Sequence, residues 1–425
     1  AIRFNGLYTE AEVPDRAPAE KRRTGALISG VYQPLDEFKV LADYYYARSD
    51  DRTDPGVAIN RATGKVDHDI KYVGQSGLDF QETGADIFTL GFEWELGDGV
   101  KLENKSRIGS TENSYIVSAY QRNRNTGADE TRSFSGWQEN DYIGNQTNLT
   151  IDKMWGDVRH TVIVGGEYAN EQTDAGGYSA TPDSVAVDPY NPDNNAWRGT
   201  KTRGAKTSSL ELETLSAYVM DTITLNDDWE VFGGVRYDRF DYALDTKERP
   251  GRGNTIIPAA TYEYDDGFWN GHLGVVYSPW EHGNVYVSWS TSSNINGGEA
   301  DAGTNCGYGG ICVDDAGNYA SAEPEQSTNW ELGTKWNLLD HRLLLTAAVF
   351  QTTKDDVIEG GNDSYQTGGS LNTGKNRVHG VELGLSGNIT DNLSGQIGAA
   401  VMNSDTLKSF NEENEGRSKA NFAEK

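Results

Sequence analysis

Cysteine and proline are scarce in this sequence, basic residues are outnumbered, and no long hydrophobic run occurs anywhere in its 425 residues. Each shortage excludes something. The apolar stretches fall short of the about 18 residues a transmembrane helix needs, so no such helix is expected. The 37 Lys and Arg against 65 Asp and Glu, a net charge of −28, lack the basic footprint of a nucleic-acid binder. The same balance disfavours docking on an anionic lipid surface. Eleven Pro stand against 49 Gly with no G-X-Y period, which excludes collagen. The six His show no paired metal spacing, and no H-E-x-x-H, G-x-S-x-G, P-loop or dinucleotide fingerprint occurs. An outer-membrane hydrolase would need a His, Ser or Asp cluster that the sequence does not assemble. The expectation is a non-enzyme with no cofactor and no resident metal.

What is present is aromatic and polar: ten Trp, 22 Tyr and 12 Phe, too many for global disorder. A polar average does not exclude the membrane, because a β-barrel shows lipid only alternate residues. Period two dominates. In 327–338 the even positions carry Thr328, Trp330, Leu332, Thr334, Trp336 and Leu338, and the odd ones carry Ser327, Asn329, Glu331, Gly333, Lys335 and Asn337. Phe88, Leu90, Phe92, Trp94 and Leu96 alternate in the same way, as do Val381, Leu383 and Leu385. A helical template would set Gly384 and Asn388 on the apolar face of 378–389 and fails there. Asp221 interrupts the apolar set Leu215, Ala217, Val219, Ile223 and Leu225, which a bulge or an interfacial position would explain.

The expected strands are 1–10, 22–32, 37–48, 84–96, 100–113, 139–152, 158–172, 211–225, 229–242, 267–278, 284–293, 327–338, 342–353, 373–389 and 393–405. The start of a sixteenth follows near 419. Seven connections are short, near residues 33–36, 97–99, 154–157, 226–228, 279–283, 339–341 and 390–392. Long polar connections alternate with them, roughly 49–83, 173–210, 243–266 and 294–326. Ordinary domains rarely hold structureless loops beyond about 12–15 residues, whereas transmembrane barrels pair short periplasmic turns with long outer loops. Trp94, Trp155, Trp229, Trp280 and Trp336, five of the ten Trp, lie beside short turns, as an interfacial aromatic girdle requires. The bland alternative is hairpin-end aromatics in a soluble all-β sandwich. The fold class expected is all-β, a transmembrane antiparallel β-barrel.

Lumen-facing Glu331, Lys335, Glu382, Arg236 and Asp238 are expected to form a hydrated wall of cross-strand pairs. Ligand-binding candidates lie in the long connections: Tyr120, Arg122 and Arg124 with Trp137 in one, and Tyr190, Trp197 and Arg198 in another. Arg plus aromatic groups suit an anionic, aromatic or metal-chelate ligand, although each is also ordinary loop decoration. Cys306 and Cys312, six apart in a Gly-rich loop, most simply close one small disulfide in an oxidising compartment. A metal reading of the pair lacks nearby ligands. A staple without ligand contact is the plainer role.

Several stretches resemble one family. Leu215-Ser-Ala-Tyr-Val-Met-Asp-Thr-Ile223 with Trp229-Glu-Val-Phe-Gly-Gly-Val-Arg-Tyr-Asp238 is similar to a barrel hairpin of the TonB-dependent siderophore receptors. So are Pro324-Glu-Gln-Ser-Thr-Asn-Trp-Glu-Leu-Gly-Thr-Lys-Trp336, Arg342-Leu-Leu-Leu-Thr-Ala-Ala-Val-Phe-Gln351 and Asn372-Thr-Gly-Lys-Asn-Arg-Val-His-Gly-Val-Glu-Leu383. The resemblance is strongest over 211–405. It implies a 22-stranded barrel in the Gram-negative outer membrane around an N-terminal plug. It also implies uptake of a ferric siderophore, of catecholate type, with energy from a TonB complex. On this reading residues 1–425 are one barrel domain holding about 16 of the strands, with the plug and terminal strands outside it. Its partners would be the Fe(III)-siderophore as cargo, the TonB complex through the plug, outer-membrane lipid and lipopolysaccharide. A passive 16-stranded porin and a soluble all-β binding protein are the competing readings.

Overall fold

A computed structural model describes residues 1–57, 59–60, 65–123, 126–250, 256–295, 323–358, 372–390 and 392–418. In chain order the strands are β1 (Ile2–Glu12), β2 (Glu20–Leu35), β3 (Phe38–Arg52), β4 (Ile59–Asn60), β5 (Lys65–Val66), β6 (Phe80–Gly97) and β7 (Val100–Arg122). They continue as β8 (Asp129–Trp155), β9 (Val158–Thr181), β10 (Thr200–Thr224), β11 (Trp229–Thr246), β12 (Arg249–Pro250) and β13 (Ile256–Ile257). The last are β14 (Ala260–Trp280), β15 (Gly283–Asn294), β16 (Glu325–Leu338), β17 (Leu343–Ile358), β18 (Asn372–Thr390) and β19 (Leu393–Lys408). Fifteen of them form one antiparallel sheet in sequence order, β1 to β3, β6 to β11 and β14 to β19, and β4–β5 and β12–β13 are two-residue ribbons. The fifteen strands expected before residue 405 are all present, and the one expected near 419 lies outside the described residues.

The register settles which face meets lipid. One rung runs Val401, Val381, Val349, Leu332, Val287, Val275, Val231, Ile223 across eight strands from β19 to β10, each residue opposite the next. Val401 is 58% exposed, Leu332 50% and Val287 44%, so this aliphatic face packs on no protein. The opposite parity carries Glu331, Lys335, Ser288 and Glu382. One sheet with an apolar outer face and a polar inner face excludes a sandwich, whose apolar faces pack on each other.

Strand ends carry the girdles. At the short-turn end Trp94 meets Phe38 edge-on with centroids 6.1 Å apart, Trp229 stacks on Tyr277 at 4.2 Å, and Trp280 lies 5.2 Å from Trp336. Towards the far end Tyr237 lies 4.9 Å from Trp269 and Trp289 lies 6.4 Å from Trp330, on the same outer face. The Gly97-Asp98-Gly99 turn has positive φ at all three residues, and a Cβ on Gly99 would stand 2.2 Å from the Asp152 carbonyl oxygen. Glycine is required there. Leu339, Asp340 and His341 also have positive φ, at 53°, 55° and 65°, without that freedom. Replacing Leu339 with Gly is therefore expected to stabilise the barrel by about 1 kcal/mol, read from urea unfolding.

Two features of the outer face were not foreseen or were left open. The register of β10 against β9 and β11 is unbroken from Ser208 to Thr224, so Asp221 sits on no bulge. Its carboxylate instead meets the His160 Nδ1 at 2.7 Å near the short-turn end, an interfacial position. Between Leu102 and Ile108 the same face carries Asn104 and Ser106, opposite Thr147 and Asn145. The Asn104 amide donates to Asn145 Oδ1 (3.1 Å) and Thr147 Oγ1 (2.8 Å), and the Asn145 amide donates to Asn104 Oδ1 (3.2 Å) and Ser106 Oγ (2.7 Å). All four amide hydrogens are spent within the sheet, which is how polar groups persist against hydrocarbon.

The strands outrun the predicted ones at the end away from the short turns. A tilted strand crosses a bilayer in about 9–11 residues, yet β8 has 27 and β10 has 25. The connections expected over 49–83 and 173–210 shrink to 53–79 and 182–199. Tyr120 and Arg122 lie on β7 and Trp137 on β8, not in a loop, and this corrects the sequence reading. Beyond the lipid both faces meet water, so the apolar alternation fades while the backbone pairing continues.

Candidate functional site

Inward-facing residues of β8 to β11 form a hydrogen-bonded ladder centred on Arg236. Its Nη1 reaches Glu167 Oε2 at 3.0 Å, its Nε reaches Asp238 Oδ1 at 2.8 Å, and its Nη2 donates to Ser216 Oγ at 2.7 Å. Ser216 Oγ donates in turn to Asp238 Oδ1 at 2.6 Å, and Asp238 is only 5% exposed. The guanidinium sits 5.3 Å over the Tyr218 ring, whose hydroxyl donates to Asn148 Oδ1 (2.5 Å) and accepts from Gln146 Nε2 (3.0 Å). Gln146, Asn148, Tyr218, Arg236, Asn270 and His272 line a recess of about 420 Å³. The expected wall of cross-strand pairs is thus present at Arg236 and Asp238. It extends to Glu331, which accepts from the Tyr286 hydroxyl at 2.5 Å, with the Lys335 ammonium 5.5 Å over that ring and Glu382 facing the same way.

Farther from the short turns the inner wall becomes apolar. Phe240, Tyr242, Leu244, Leu210 and Leu212 are buried together, with Tyr262, Tyr264, Phe268 and Ile295 packed on them. Phe240 lies 5.3 Å from Tyr264 and 6.0 Å from Phe268, and Tyr242 lies 5.1 Å from Tyr264. A second recess of about 430 Å³ joins this patch to the ladder, with Phe268 beside Arg236, Asp238 and Glu171. None of these aromatics was among the expected ligand contacts. The available signal was aromatic residues on a parity that should be polar.

The expected contacts divide. Trp197, 6% exposed, packs with Leu78 and Ile116, donates its indole N–H to Pro182 O (2.9 Å) and gives its backbone N–H to Gln75 Oε1 (2.9 Å). Trp137, equally buried, donates to Gly204 O (3.2 Å) under the Arg203 guanidinium, 4.1 Å above its ring. Tyr120 donates to Asp129 Oδ1 at 2.7 Å, and burial first, then Asp129, pushes its phenol up to about 12. Tyr190 is exposed, donates to Asp67 Oδ2 at 3.2 Å, and is held above its ordinary value chiefly by Asp67. Arg198 bonds the carbonyls of Asn195 and Trp197, and Arg122 is exposed. Arg124, Cys306 and Cys312 lie outside the described residues.

The segments 69–79 and 182–199 are knotted together. Lys71 N–H donates to Pro189 O (2.9 Å), Ser76 N–H to Asn194 O (2.8 Å), and Asn194 Nδ2 to the carbonyls of Tyr72 and Gly74 (both 2.8 Å). Gly74 is crowded from within its own segment, since a Cβ there would stand 2.1 Å from the Tyr72 hydroxyl and 2.7 Å from Asp79 Oδ2, and Gly77 faces the Trp197 ring, 3.3 Å from a Cβ. Asp79, 5% exposed, accepts from the Gln75 N–H and from Ser118 Oγ (2.7 Å). Burial pushes its carboxyl up from 3.8 to about 6. A raised carboxyl stabilises the knot fully below its ordinary value, and that contribution is lost as pH rises through about 6. The gap corresponds to about 3 kcal/mol. Amide exchange at Gln75 to Asp79, corrected for intrinsic rate, is expected to quicken between pH 5 and 7.5. Asp79→Asn, which can still accept from Gln75 and donate to Ser118, should flatten that dependence.

A family model described as "TonB dependent receptor-like, beta-barrel" matches residues 31–420. The catecholate siderophore receptor Fiu of Escherichia coli strain K12 is 29% identical over 360 residues, covering 79% of this chain and 46% of Fiu. The probable TonB-dependent siderophore receptor PiuA of Acinetobacter baumannii is 26% identical over 92% of this chain and 54% of its own. The closed-form crystal structure of Fiu from E. coli K12 superposes with a TM-score of 0.81 at 24% identity, covering 98% of this chain and 62% of that one. The chain thus spans about half the length of these curated relatives.

Proposed function

The chain belongs to the TonB-dependent receptor β-barrel family of the Gram-negative outer membrane, and on that premise we propose that it walls the import path of a ferric siderophore. The Fe(III)-siderophore is cargo, not a cofactor, and the work comes from a TonB complex acting through a plug. The observation that carries this reading is the inner wall, where the Arg236 ladder rises into the aromatic patch around Tyr264 and Phe268. A guanidinium beside a cluster of edge-on and tilted rings suits an anionic chelate with aromatic arms, and the catecholate cargo named for Fiu and the Fiu receptor structure supports that class. The repulsive field of the acidic surface is screened beyond about 8–10 Å, so the net charge of −28 does not forbid an anion at contact. The family is one of receptors and transporters, and we assign no bond-breaking step to any residue. The family match favours this reading over a passive porin. Outer ion pairs above the lipid band, such as Arg48–Asp86 at 2.5 Å, support contact with lipopolysaccharide.

The test is growth of a receptor-deleted strain in iron-limited medium, complemented with the full-length gene and fed single ferric chelates. Growth on ferric catecholates that disappears when TonB is removed is expected. Growth independent of TonB, or on no chelate, overturns the reading.

A further inference from the structure

Three adjacent strands bring Lys153, Trp155, His160 and Asp221 together on the outer face, one to three rungs from the β8–β9 turn. Their neighbours on that face are Ile151, Val162, Ile223 and Val219, so charges of both signs interrupt an aliphatic surface. A charge facing lipid costs a few kcal/mol at the midplane but only about 0–1 near the interface. That places this cluster at headgroup depth. The imidazole is fixed from two sides: Trp155 lies 4.3 Å away, tilted 31°, and Asp221 Oδ2 lies 2.7 Å from Nδ1. The bond uses one ring nitrogen and one carboxylate oxygen. Asp221 Oδ1 is shielded and has no donor, although the side chain as a whole is 27% exposed. Lys153, directly opposite His160, makes no hydrogen bond or ion pair with any described residue.

The other girdle tryptophans meet aromatic partners: Trp94 with Phe38, Trp229 with Tyr277, and Trp280 with Trp336. Here the girdle instead holds an unpaired cation one rung from an under-donated carboxylate. We propose that these four residues bind the headgroup of a phospholipid carrying a phosphate and a primary ammonium. Lys153 takes the phosphate as a point charge. The ammonium donates to Asp221 Oδ2, which can accept a second bond beside that from His160, and the Trp155–His160 pair seats the headgroup at the interface. A quaternary ammonium has no N–H to give, and a headgroup without an amine leaves Asp221 facing a phosphate.

Native mass spectrometry of the full-length receptor in neutral detergent, titrated with phosphatidylethanolamine, phosphatidylcholine or phosphatidylglycerol, tests this. One phosphatidylethanolamine should be retained at least several-fold over either competitor. Lys153→Gln and Asp221→Asn should each cut that preference about threefold or more, with unchanged thermal unfolding as the fold control. Trp155→Phe, which keeps a ring, should retain it. Equal retention of the three lipids overturns the proposal. So does a preference for phosphatidylglycerol, or one that survives in Lys153→Gln, the variant least able to disturb the wall.

Discussion

Leu332→Arg is expected to cost the barrel about 2–4 kcal/mol, the penalty for a cation on the lipid face near mid-depth. Leu332 stands between Val287 and Val349 in the aliphatic rung, half exposed, with aliphatic neighbours on both sides and no acid opposite. The next rung on this face pairs Trp330 with Trp289, and no charged side chain of the face stands within one rung of Leu332 on β15, β16 or β17. Arginine there must snorkel towards a headgroup or drag water with it. Ser288→Arg supplies the control. Ser288 lies one residue along β15, on the inner parity and opposite Glu331, where a new cation meets water and a carboxylate and should change stability by less than about 1 kcal/mol. Urea titrations in lipid bilayers measure both. Equal costs for the two variants would mean that the outer face does not contact acyl chains.

Arg236→Met is expected to cost about 2–3 kcal/mol. The change removes one cation shared by two carboxylates, and Asp238 is too buried for water to replace it. Breaking a fully buried pair costs about 3–5 kcal/mol, but a guanidinium side chain 33% exposed is partly screened. Asp238 keeps its bond from Ser216, so the residual penalty is its uncompensated buried charge together with its repulsion from Glu167, which is 31% exposed and rehydrates. Adding Glu167→Gln to Arg236→Met should recover about half the loss, and a double-mutant cycle isolates that coupling. If the ladder is only structural, chelate affinity measured on the folded variant will be unchanged. If Arg236 touches cargo, affinity falls in the rescued double variant as well.

The strands were legible because lipid enforces a period of two: wherever a segment crosses the apolar band, as 327–338 does, parity alone gives its orientation. Legibility stopped at the water line. Trp137 read as a loop residue just ahead of the strand expected from 139 because Ser133 to Gln138 show no alternation, yet β8 runs through all of them. Trp197 read as a ligand contact because nothing near it in sequence could bury it. Its partner is Gln75, 122 positions away. The aromatic patch went unread for a third reason: Phe240 and Tyr242 lie on the parity expected to be wet, and only packing against β14 makes that position dry. Asp221 was legible as an anomaly, but its cause required His160, which comes from another hairpin.

The tie between Gln75 and Trp197 has a consequence for cleavage. Read along the chain, 69–79 and 182–199 are two separate stretches that an exoplasmic peptidase could trim independently. Joined through Asn194 and Ser76, neither can fray into an active-site cleft without releasing the other. Nicking should therefore be all-or-none across both stretches, and a cut in one should expose the other at once.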